Sequence, residues 1–460
     1  MIVFLPTDGV MLLLLALLLL TVRFVLARPN LRARWRAVFA DAGAASAAVV
    51  LAFFLTIATL DSMHYRPELP PGPNGARAYS PTTVSVFDTL VFDVLDAAHP
   101  ERSYSEPFAL REFDKTTIVT EAGPVRDFQP LKIAPRAESA LLPLRGLAGG
   151  AAGLLAAFSV TGLLIAVKRG EKRALLRRFT SPSGERFAPW ITFAALCVLT
   201  GMTLSVWPLC HPFGTDAVGN DVLYEALKSL RTAIVIGSLA TLATLPFAVT
   251  LGMAAGYFKG RVDDAIQYLY TTLSSIPSVL LIAASVLLVT VFMDRHPEWW
   301  PTGLERADVR LFLLAIIIGM TGWSTLARLL RAETMKITAL DYVTAARAFG
   351  VPHARILRRH VLPNVLHIVL IVTVLDFSGI VLYEAVLSYV GVGVDPSMSS
   401  FGTMINAARS EMSRSPMVWW NLAASFLFML SLVLSANLFA AAVRDAFDPR
   451  AALKRKGGAG

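Results

Sequence analysis

Long apolar stretches alternate with short polar ones along most of this chain. Nine of them reach or approach the roughly 20 residues that an α-helix needs to cross about 30 Å of hydrocarbon. They cover residues 10–27, 44–60, 141–167, 190–209, 229–257, 265–293, 311–330, 365–390 and 418–443. The pattern therefore predicts an all-α polytopic membrane protein that crosses the bilayer nine times.

Residues 61–140 interrupt this pattern. They are rich in proline and hold 12 acidic and 8 basic residues. Residues 82–97 alternate apolar and acidic positions, and residues 115–119 are rich in β-branched side chains. We predict a small α+β insert on the extracytoplasmic face, where Lys and Arg are not retained. The sequence leaves open whether the insert packs on the membrane helices or contacts a partner protein.

The basic residues predict the orientation of the chain. Clusters of Lys and Arg follow the first and third apolar stretches, at residues 28–36 and 168–178, and another lies in the tail at 454–456. Because basic loops stay in the cytoplasm, we expect the N-terminus outside and the C-terminus inside. A secretory signal peptide is the alternative for the first stretch, since Val25-Leu26-Ala27 resembles a cleavage site. Asp8, rather than a basic residue, precedes the apolar run, which favours a retained span.

Composition limits the classes of function. The 460 residues are 55% hydrophobic and 16% charged, with a mean hydropathy of +0.59, which is typical of a membrane protein. The net charge of +9 is explained by the basic loops between spans, so we expect no nucleic-acid partner. The two cysteines, Cys197 and Cys210, give neither a disulfide framework nor a metal-ligand spacing. Because GxxxxGK[ST], HExxH and GxSxG patterns are absent from the sequence, we predict no enzyme activity, bound cofactor or metal in this chain.

The stretch DYVTAARAFGVPHARILRRHVLPN (residues 341–364) is a basic island between two apolar spans. Tyr342, Ala345, Ala346 and Phe349 recur at helical spacing, which predicts a short helix with one apolar ridge. Gly350 and then a proline end this helix, because glycine tolerates a left-handed cap and proline cannot continue the hydrogen-bond ladder. Such a ridge fits a groove on a partner, with a neighbouring arginine reaching outward. An ordinary basic cytoplasmic loop is the alternative that spacing alone leaves open.

The same stretch resembles a known loop. Three of its parts are Thr344-Ala345-Ala346, Gly350 and His360-Val361-Leu362-Pro363. In this order and spacing they resemble the EAA loop of bacterial ABC importer permeases. It follows the dipeptide/oligopeptide (and nickel) branch, which commonly reads YVTAARALG and RHxLPN. Thr344 and His360 depart from the family's general pattern, which has Glu and Ile there.

Three further segments resemble that branch in the expected order: HPFGTDAVGNDV (211–222), LSYVGVGVDPSMSSFGTM (387–404) and RDAFDPR (444–450). The resemblance therefore covers residues 189–450 and implies a six-helix importer core preceded by three extra spans. The implied organisation is two N-terminal helices with a basic loop (1–60), the extracytoplasmic insert (61–140), a third extra span and basic linker (141–188), the importer domain (189–450) and a cytoplasmic tail (451–460).

The resemblance implies a multi-pass permease subunit in the bacterial inner membrane, importing peptides. Its implied partners are a second related permease, an extracytoplasmic solute-binding protein, and two ATPase subunits that hold ATP and Mg²⁺. The loop 341–364 would couple ATPase closure to alternating access. The residues assigned to that coupling are Thr344, Ala345, Ala346, Arg347, Gly350, Leu362 and Pro363. A self-sufficient secondary transporter is the rival class, and it would need paired broken helices with an ion site between them.

Two carboxylates fall inside an apolar span. Burying a carboxylate in hydrocarbon is costly, so Asp376 and Glu384 are candidates for lining the transport pathway. For Asp376 the alternative is a hydrogen bond to Ser or Thr on a neighbouring helix. His211, Asp216 and Asp221 invite a metal site, but their spacing and the intervening glycines favour a structural turn.

Overall fold

The computed structural model describes residues 1–69, 78–92, 100–120, 123–133, 141–167 and 187–447. The basic linker after residue 167, the tail after residue 447 and part of the insert lie outside these ranges. In the described part the α-helices are α1 (Pro6–Ala27), α2 (Pro29–Val38), α3 (Ala42–Asp61), α4 (Val86–Phe92), α5 (Leu141–Val167), α6 (Ala188–Val206), α7 (Val222–Phe258), α8 (Gly260–Ser275), α9 (Ser278–Arg295), α10 (Gly303–Thr338), α11 (Asp341–Ala348), α12 (His353–Ile356), α13 (Leu362–Tyr389), α14 (Phe401–Glu411) and α15 (Trp420–Phe447).

Nine helical segments among the described residues are long and apolar enough to cross a membrane. They coincide with the nine apolar stretches, so the predicted all-α polytopic fold is confirmed. Helix α12, a π-helical turn (Leu357–Val361) and α13 form one of these segments. Hydrocarbon offers no hydrogen-bond partners, and a helix satisfies its backbone groups internally.

In the predicted stretch 265–293, the proline at 277 predicts a break, and only the part after it is long and apolar enough to cross a membrane. Residues 265–293 form two helices, α8 and α9, because Pro277 has no amide hydrogen and caps the start of α9. The connection between α7 and α8 is a single residue, Lys259, whose φ of 56° turns the chain. In contrast, Pro246 lies inside the continuous helix α7, as expected for a proline among packed helices.

The insert has the predicted α+β character. Strand β1 (His64–Tyr65) pairs antiparallel with β2 (Val84–Ser85), which leads directly into α4. Strand β3 (Thr116–Thr120) pairs antiparallel with β4 (Gly123–Asp127) in a hairpin.

The residues group into two compact units. Unit 1 contains residues 1–4, 39–232 and 399–439, and unit 2 contains residues 5–38, 233–398 and 440–460. The first two helices, α1 and α2, therefore group with residues 233–398 rather than with α3 and the insert.

In unit 1, α5 and α6 approach each other through glycines, and the row of Gly146, Gly149, Gly150 and Gly153 in the sequence predicts such close helix packing. A Cβ added at Gly153 would lie 2.1 Å from the carbonyl oxygen of Cys197, and one at Gly149 would lie 2.3 Å from that of Gly201. Small residues let the two backbones come within contact distance, which gains dispersion energy where no hydrophobic effect operates.

A buried charge cluster fixes the insert and the end of α3 to the start of α7. The Lys228 ammonium lies 2.8 Å from Asp88 Oδ1 of α4 and 3.5 Å from Asp61 Oδ1 of α3. The Tyr224 hydroxyl donates to Asp88 Oδ1 at 2.7 Å, and the Ser85 hydroxyl donates to Asp61 Oδ1 at 2.9 Å. Burial would raise the pKa of Asp88, but Lys228 and the hydrogen bonds from the Ser85 amide and the Tyr224 hydroxyl outweigh it and hold that pKa below its ordinary value. The insert therefore packs on the membrane helices, and its contact with a partner protein stays a hypothesis.

In unit 2, α1 is tied to α10. The backbone amide of Thr7 donates to Asp308 Oδ2 at 3.0 Å and its hydroxyl donates to Oδ1, so a carboxylate with 0% exposure is bound by the first turn of the chain's first helix. A bidentate ion pair joins α8 to α10, with Arg331 Nε 2.5 Å from Asp263 Oδ1 and its second nitrogen 2.7 Å from Oδ2. Arg331 lowers the pKa of Asp263 through these hydrogen bonds.

We expect Gly153→Val to destabilise unit 1 by about 2 kcal/mol or more, because the new side chain overpacks the α5–α6 contact. Thermal unfolding in detergent measures the effect. Gly162→Val is the matched control on the same helix, since nothing lies within 4 Å of a Cβ at that position. Equal melting temperatures for the two variants would contradict the close-packing assignment.

Candidate functional site

The short helix predicted at the centre of the basic island is present as α11. It lies in unit 2, where Val343 is fully buried among other apolar residues that include Ile356 and Val361. With eight residues, α11 is too short to be stable alone, so this burial rather than helix propensity fixes its position.

The opposite face of α11 is exposed. Phe349, at the end of the helix, is 88% exposed and Tyr342 is 44% exposed, and Ala345 lies exposed between them. Ala346 was predicted to share this ridge, but it is half-buried and packs against the apolar cluster beside Val343. The exposed ridge is thus Tyr342, Ala345 and Phe349, at positions i, i+3 and i+7 of one helical face.

The helix ends where the sequence predicts. Gly350 has a φ of 72°, the left-handed conformation that glycine adopts without strain. The amide of Gly350 donates to the Arg347 carbonyl at 3.0 Å, and the amide of Val351 donates to the Ala346 carbonyl at 3.1 Å. These bonds satisfy two of the carbonyls that a helix end leaves unpaired.

Arg347 differs from the prediction that it reaches outward. Its guanidinium lies 4.9 Å from the ring centroid of Tyr257, the penultimate residue of α7. The Tyr257 hydroxyl is 2.7 Å from His353 Nδ1 on the far side of the Gly350 turn. Sequence spacing gives no signal for this contact, because Tyr257 lies 90 residues before Arg347 in the chain.

The remaining assigned residues surround the start of α13. Thr344 is exposed, and its hydroxyl donates to the Asp341 carbonyl at 2.9 Å. Leu362 is half-buried against the apolar cluster, and Pro363 is exposed in the first turn of α13, where its missing amide hydrogen costs nothing. The Asn364 side chain donates to the Tyr342 hydroxyl at 3.0 Å and so links α11 to this turn.

The two carboxylates of α13 have different surroundings. Glu384 is 1% exposed and accepts a hydrogen bond of 2.7 Å from the Ser388 hydroxyl, which itself accepts from the Val394 amide at 3.1 Å. It is enclosed within the unit and stabilises the turn that follows α13, and a role in lining the pathway stays a prediction. Asp376 is half-buried, and within the part of the chain described it makes no hydrogen bond to Ser or Thr, which was the alternative considered for it.

The segment between α6 and α7 belongs to unit 1 and forms a turn stabilised by charge. His211 Nδ1 lies 2.6 Å from Asp221 Oδ2, and Nε2 lies 3.7 Å from Glu101 of the insert. A Cβ at Gly219 would lie 2.0 Å from the Glu101 carbonyl oxygen, so the insert sits directly on this turn. No group of His, Cys, Asp or Glu suited to a metal ion occurs among the described residues.

The protonation of His211 follows from these contacts. Burial would lower its pKa, but the hydrogen bond to Asp221 and the ion pair with Glu101 outweigh burial and raise the pKa of His211 to about 9. Burial would likewise raise the pKa of Glu101, whereas the ion pair with His211 and the hydrogen bonds from the Lys132 and Ile133 amides hold it below the ordinary value.

Comparisons with known proteins identify similar sequences. A family model described as "Binding-protein-dependent transport system inner membrane component" matches residues 248–453, which include α11 and α13. The oligopeptide transport system permease protein OppC of Haemophilus influenzae is 30% identical over 240 residues, which are 52% of this chain and 70% of that protein. OppC of Mycobacterium bovis is 32% identical over 247 residues, covering 54% of this chain and 78% of that protein. The dipeptide transport system permease protein DppC of Lactococcus lactis is 29% identical over 241 residues, covering 52% and 64%.

The buried His211 predicts a pH-dependent stability. Its pKa in the folded state, about 9, lies above the ordinary 6.5, so its contribution to stability is complete below pH 6.5 and is lost as the pH rises through 9. We expect the melting temperature of the purified protein to fall across this window. His211→Gln should flatten the profile, whereas His296→Gln, which alters a half-buried histidine outside any such carboxylate pair, should preserve the fall. A wild-type melting temperature that stays constant from pH 6.5 to 9 would contradict the assignment.

Proposed function

Because this chain belongs to the family of binding-protein-dependent transport system inner membrane components, we propose that it couples ATP hydrolysis on partner subunits to peptide import. It is a membrane-spanning permease subunit of an ABC importer, and such permease components are not themselves catalytic.

The exposed ridge of α11 is the observation that carries the proposal. A phenylalanine with 88% of its surface exposed costs free energy in water, and exposed apolar residues grouped on one helix face are typical of a protein interface. The exposed ridge suits a groove on a cytoplasmic ATPase. Ala345 allows close backbone approach, and Tyr342 and Phe349 on either side of it are aromatic anchors.

The way α11 is connected supports its use as a lever. Two residues separate it from α10, and the Gly350 turn, α12 and the π-helical turn join it to α13 without a long loop. A displacement of α11 by closing ATPases would therefore tilt α10 and α13 as rigid bodies between inward-open and outward-open states.

The proposed complex contains two ATPase subunits, which hold ATP and Mg²⁺, a second related permease and an extracytoplasmic solute-binding protein. This chain would bind no cofactor itself. In the inner membrane the N-terminus would face outward and the tail inward, as the basic clusters of the sequence predict.

Peptides are the proposed substrates, since the relatives are named as oligopeptide and dipeptide permeases. Asp376 is the candidate pathway residue, because its carboxylate is half-buried and lacks a Ser or Thr partner among the described residues. A negative charge there would attract the amino terminus of a peptide.

A secondary transporter driven by an ion gradient is the competing function. It would need broken helices in corresponding positions of two halves with an ion site between them. Transport that persists in the absence of any ATPase would favour it, and transport that stops would support the importer.

We predict that Phe349→Ala weakens ATPase binding by about 2 kcal/mol or more, or about 30-fold in Kd, as expected for a central aromatic anchor. Co-purification and titration of the ATPase with detergent-solubilised permease measure this. Trp299→Ala is the matched control, since Trp299 is 59% exposed and precedes α10 at the end remote from α11. Equal ATPase affinity for the two variants contradicts the docking role of the ridge.

We predict that Asp376→Asn lowers uptake of peptides with a free amino terminus about tenfold, the loss expected for one charge-assisted hydrogen bond. The control is the same peptide with an acetylated amino terminus, which wild type and variant should transport equally slowly. Unaltered uptake of the free peptide at an unaltered amount of membrane protein would rule out this role for Asp376.

A further inference from the structure

One aromatic ring contacts both sides of the turn that ends α11. Tyr257 is 2% exposed at the end of α7. The guanidinium of Arg347, before the turn, lies 4.9 Å from its ring centroid, and Nδ1 of His353, after the turn, lies 2.7 Å from its hydroxyl oxygen. The His353 ring also packs edge-on against the Tyr257 ring, with centroids 5.5 Å apart. The side chain therefore holds the segments on either side of Gly350 to the end of α7.

The end of α7 is itself firmly packed. A Cβ at Gly256 would lie 2.5 Å from the Arg331 carbonyl oxygen and 2.7 Å from Thr334 Cβ, so the backbones of α7 and α10 are in close contact there. Tyr257 belongs to the same buried apolar cluster as Val343 of α11 and Ile356 of α12. Helices α7, α10, α11 and α12 therefore form one packed block at this point. Because packed side chains cannot be compressed, a shift of α11 displaces the ring of Tyr257 directly.

Chain connectivity gives this contact its importance. Helices α10 and α13 follow any movement of α11 because short covalent connections join them to it. Helix α7 has no such connection, since α8, α9 and α10 intervene along the chain. It follows α11 only through non-covalent contacts, and among the described residues the Arg347–Tyr257–His353 contact is a polar and directional one.

We propose that Tyr257 is a positioning residue that transmits the movement of α11 to α7, and that Arg347 acts by holding this ring rather than by binding the ATPase. The proposal rests on the coupling function proposed above and extends it to a third membrane helix. Arg347 was assigned to the coupling loop by resemblance, and the structure gives that residue a partner within its own chain.

The test uses the complete importer, with both permeases, the ATPases and the binding protein, reconstituted in liposomes. For Tyr257→Leu we expect the ATPases to remain bound, while peptide uptake and the stimulation of ATP hydrolysis by loaded binding protein fall by about an order of magnitude, the usual size of a coupling between two sites. Tyr257→Phe keeps the ring over which Arg347 lies, so it should retain most of the stimulation. A purely structural role would lower the amount of assembled complex and leave the stimulation ratio unchanged.

Phe258→Leu is the matched control. Phe258 is adjacent in sequence and packs edge-on against the rings of Tyr257 and His353, but it is 48% exposed, and the Arg347 guanidinium lies over the Tyr257 ring instead. We expect wild-type stimulation from this variant.

Arg347→Gln supplies an independent arm, because Arg347 is exposed and its replacement leaves the apolar cluster intact even if Tyr257→Leu fails to assemble. It should reduce stimulation as Tyr257→Leu does, and the double variant should be no worse than either single one, since both remove the same contact. Loss of ATPase binding in Arg347→Gln, or stimulation that survives in both variants, overturns the proposal. A wild-type permease that never retains an ATPase contradicts the coupling function itself, which separates the two failures.

Discussion

The bilayer offers no hydrogen-bond partners to backbone or charged groups, and this constraint shapes the whole chain. It requires helices in the spans, close glycine contacts such as that of Gly153 where helices meet, and a partner for every buried charge. Lys228 and Asp308 satisfy the last requirement in different ways. The ammonium group of Lys228 forms ion pairs with two carboxylates from separate parts of unit 1. Asp308 accepts two hydrogen bonds from one residue of α1 in unit 2.

The same reasoning explains why a helix as short as α11 is well defined. Eight residues form too few hydrogen bonds to offset the entropy of ordering them, so the helix depends on its surroundings. Val343 buries one face, the Gly350 turn satisfies the last carbonyls, and Tyr257 holds both ends of that turn. The apolar face that remains outside is therefore presented by a rigid element, which lowers the entropic cost of docking a partner.

Much of the fold could be predicted from the sequence, because hydrophobic length and glycine or proline punctuation are local signals. The nine spans, the break at Pro277 and the stop at Gly350 all follow from them. Contacts between residues far apart in the chain produce no such local signal in the sequence. Helical spacing placed Ala346 on the exposed ridge and left Arg347 free, whereas packing turns Ala346 inward and Tyr257 binds Arg347. Glu384 was assigned by its position in a span, but its role depends on the turn formed ten residues later by Val394.

The hydrogen bonds between Thr7 and Asp308 bear on how the protein is made. The two residues are 301 positions apart, so α1 is synthesised and inserted long before α10 leaves the ribosome. Formation of the pair must therefore follow lateral insertion of the helices, as a later step of association within the membrane. Until the two helices associate, the Asp308 carboxylate lacks the donors from Thr7, so α1 is an early-inserted helix whose partner residue is synthesised 301 positions later.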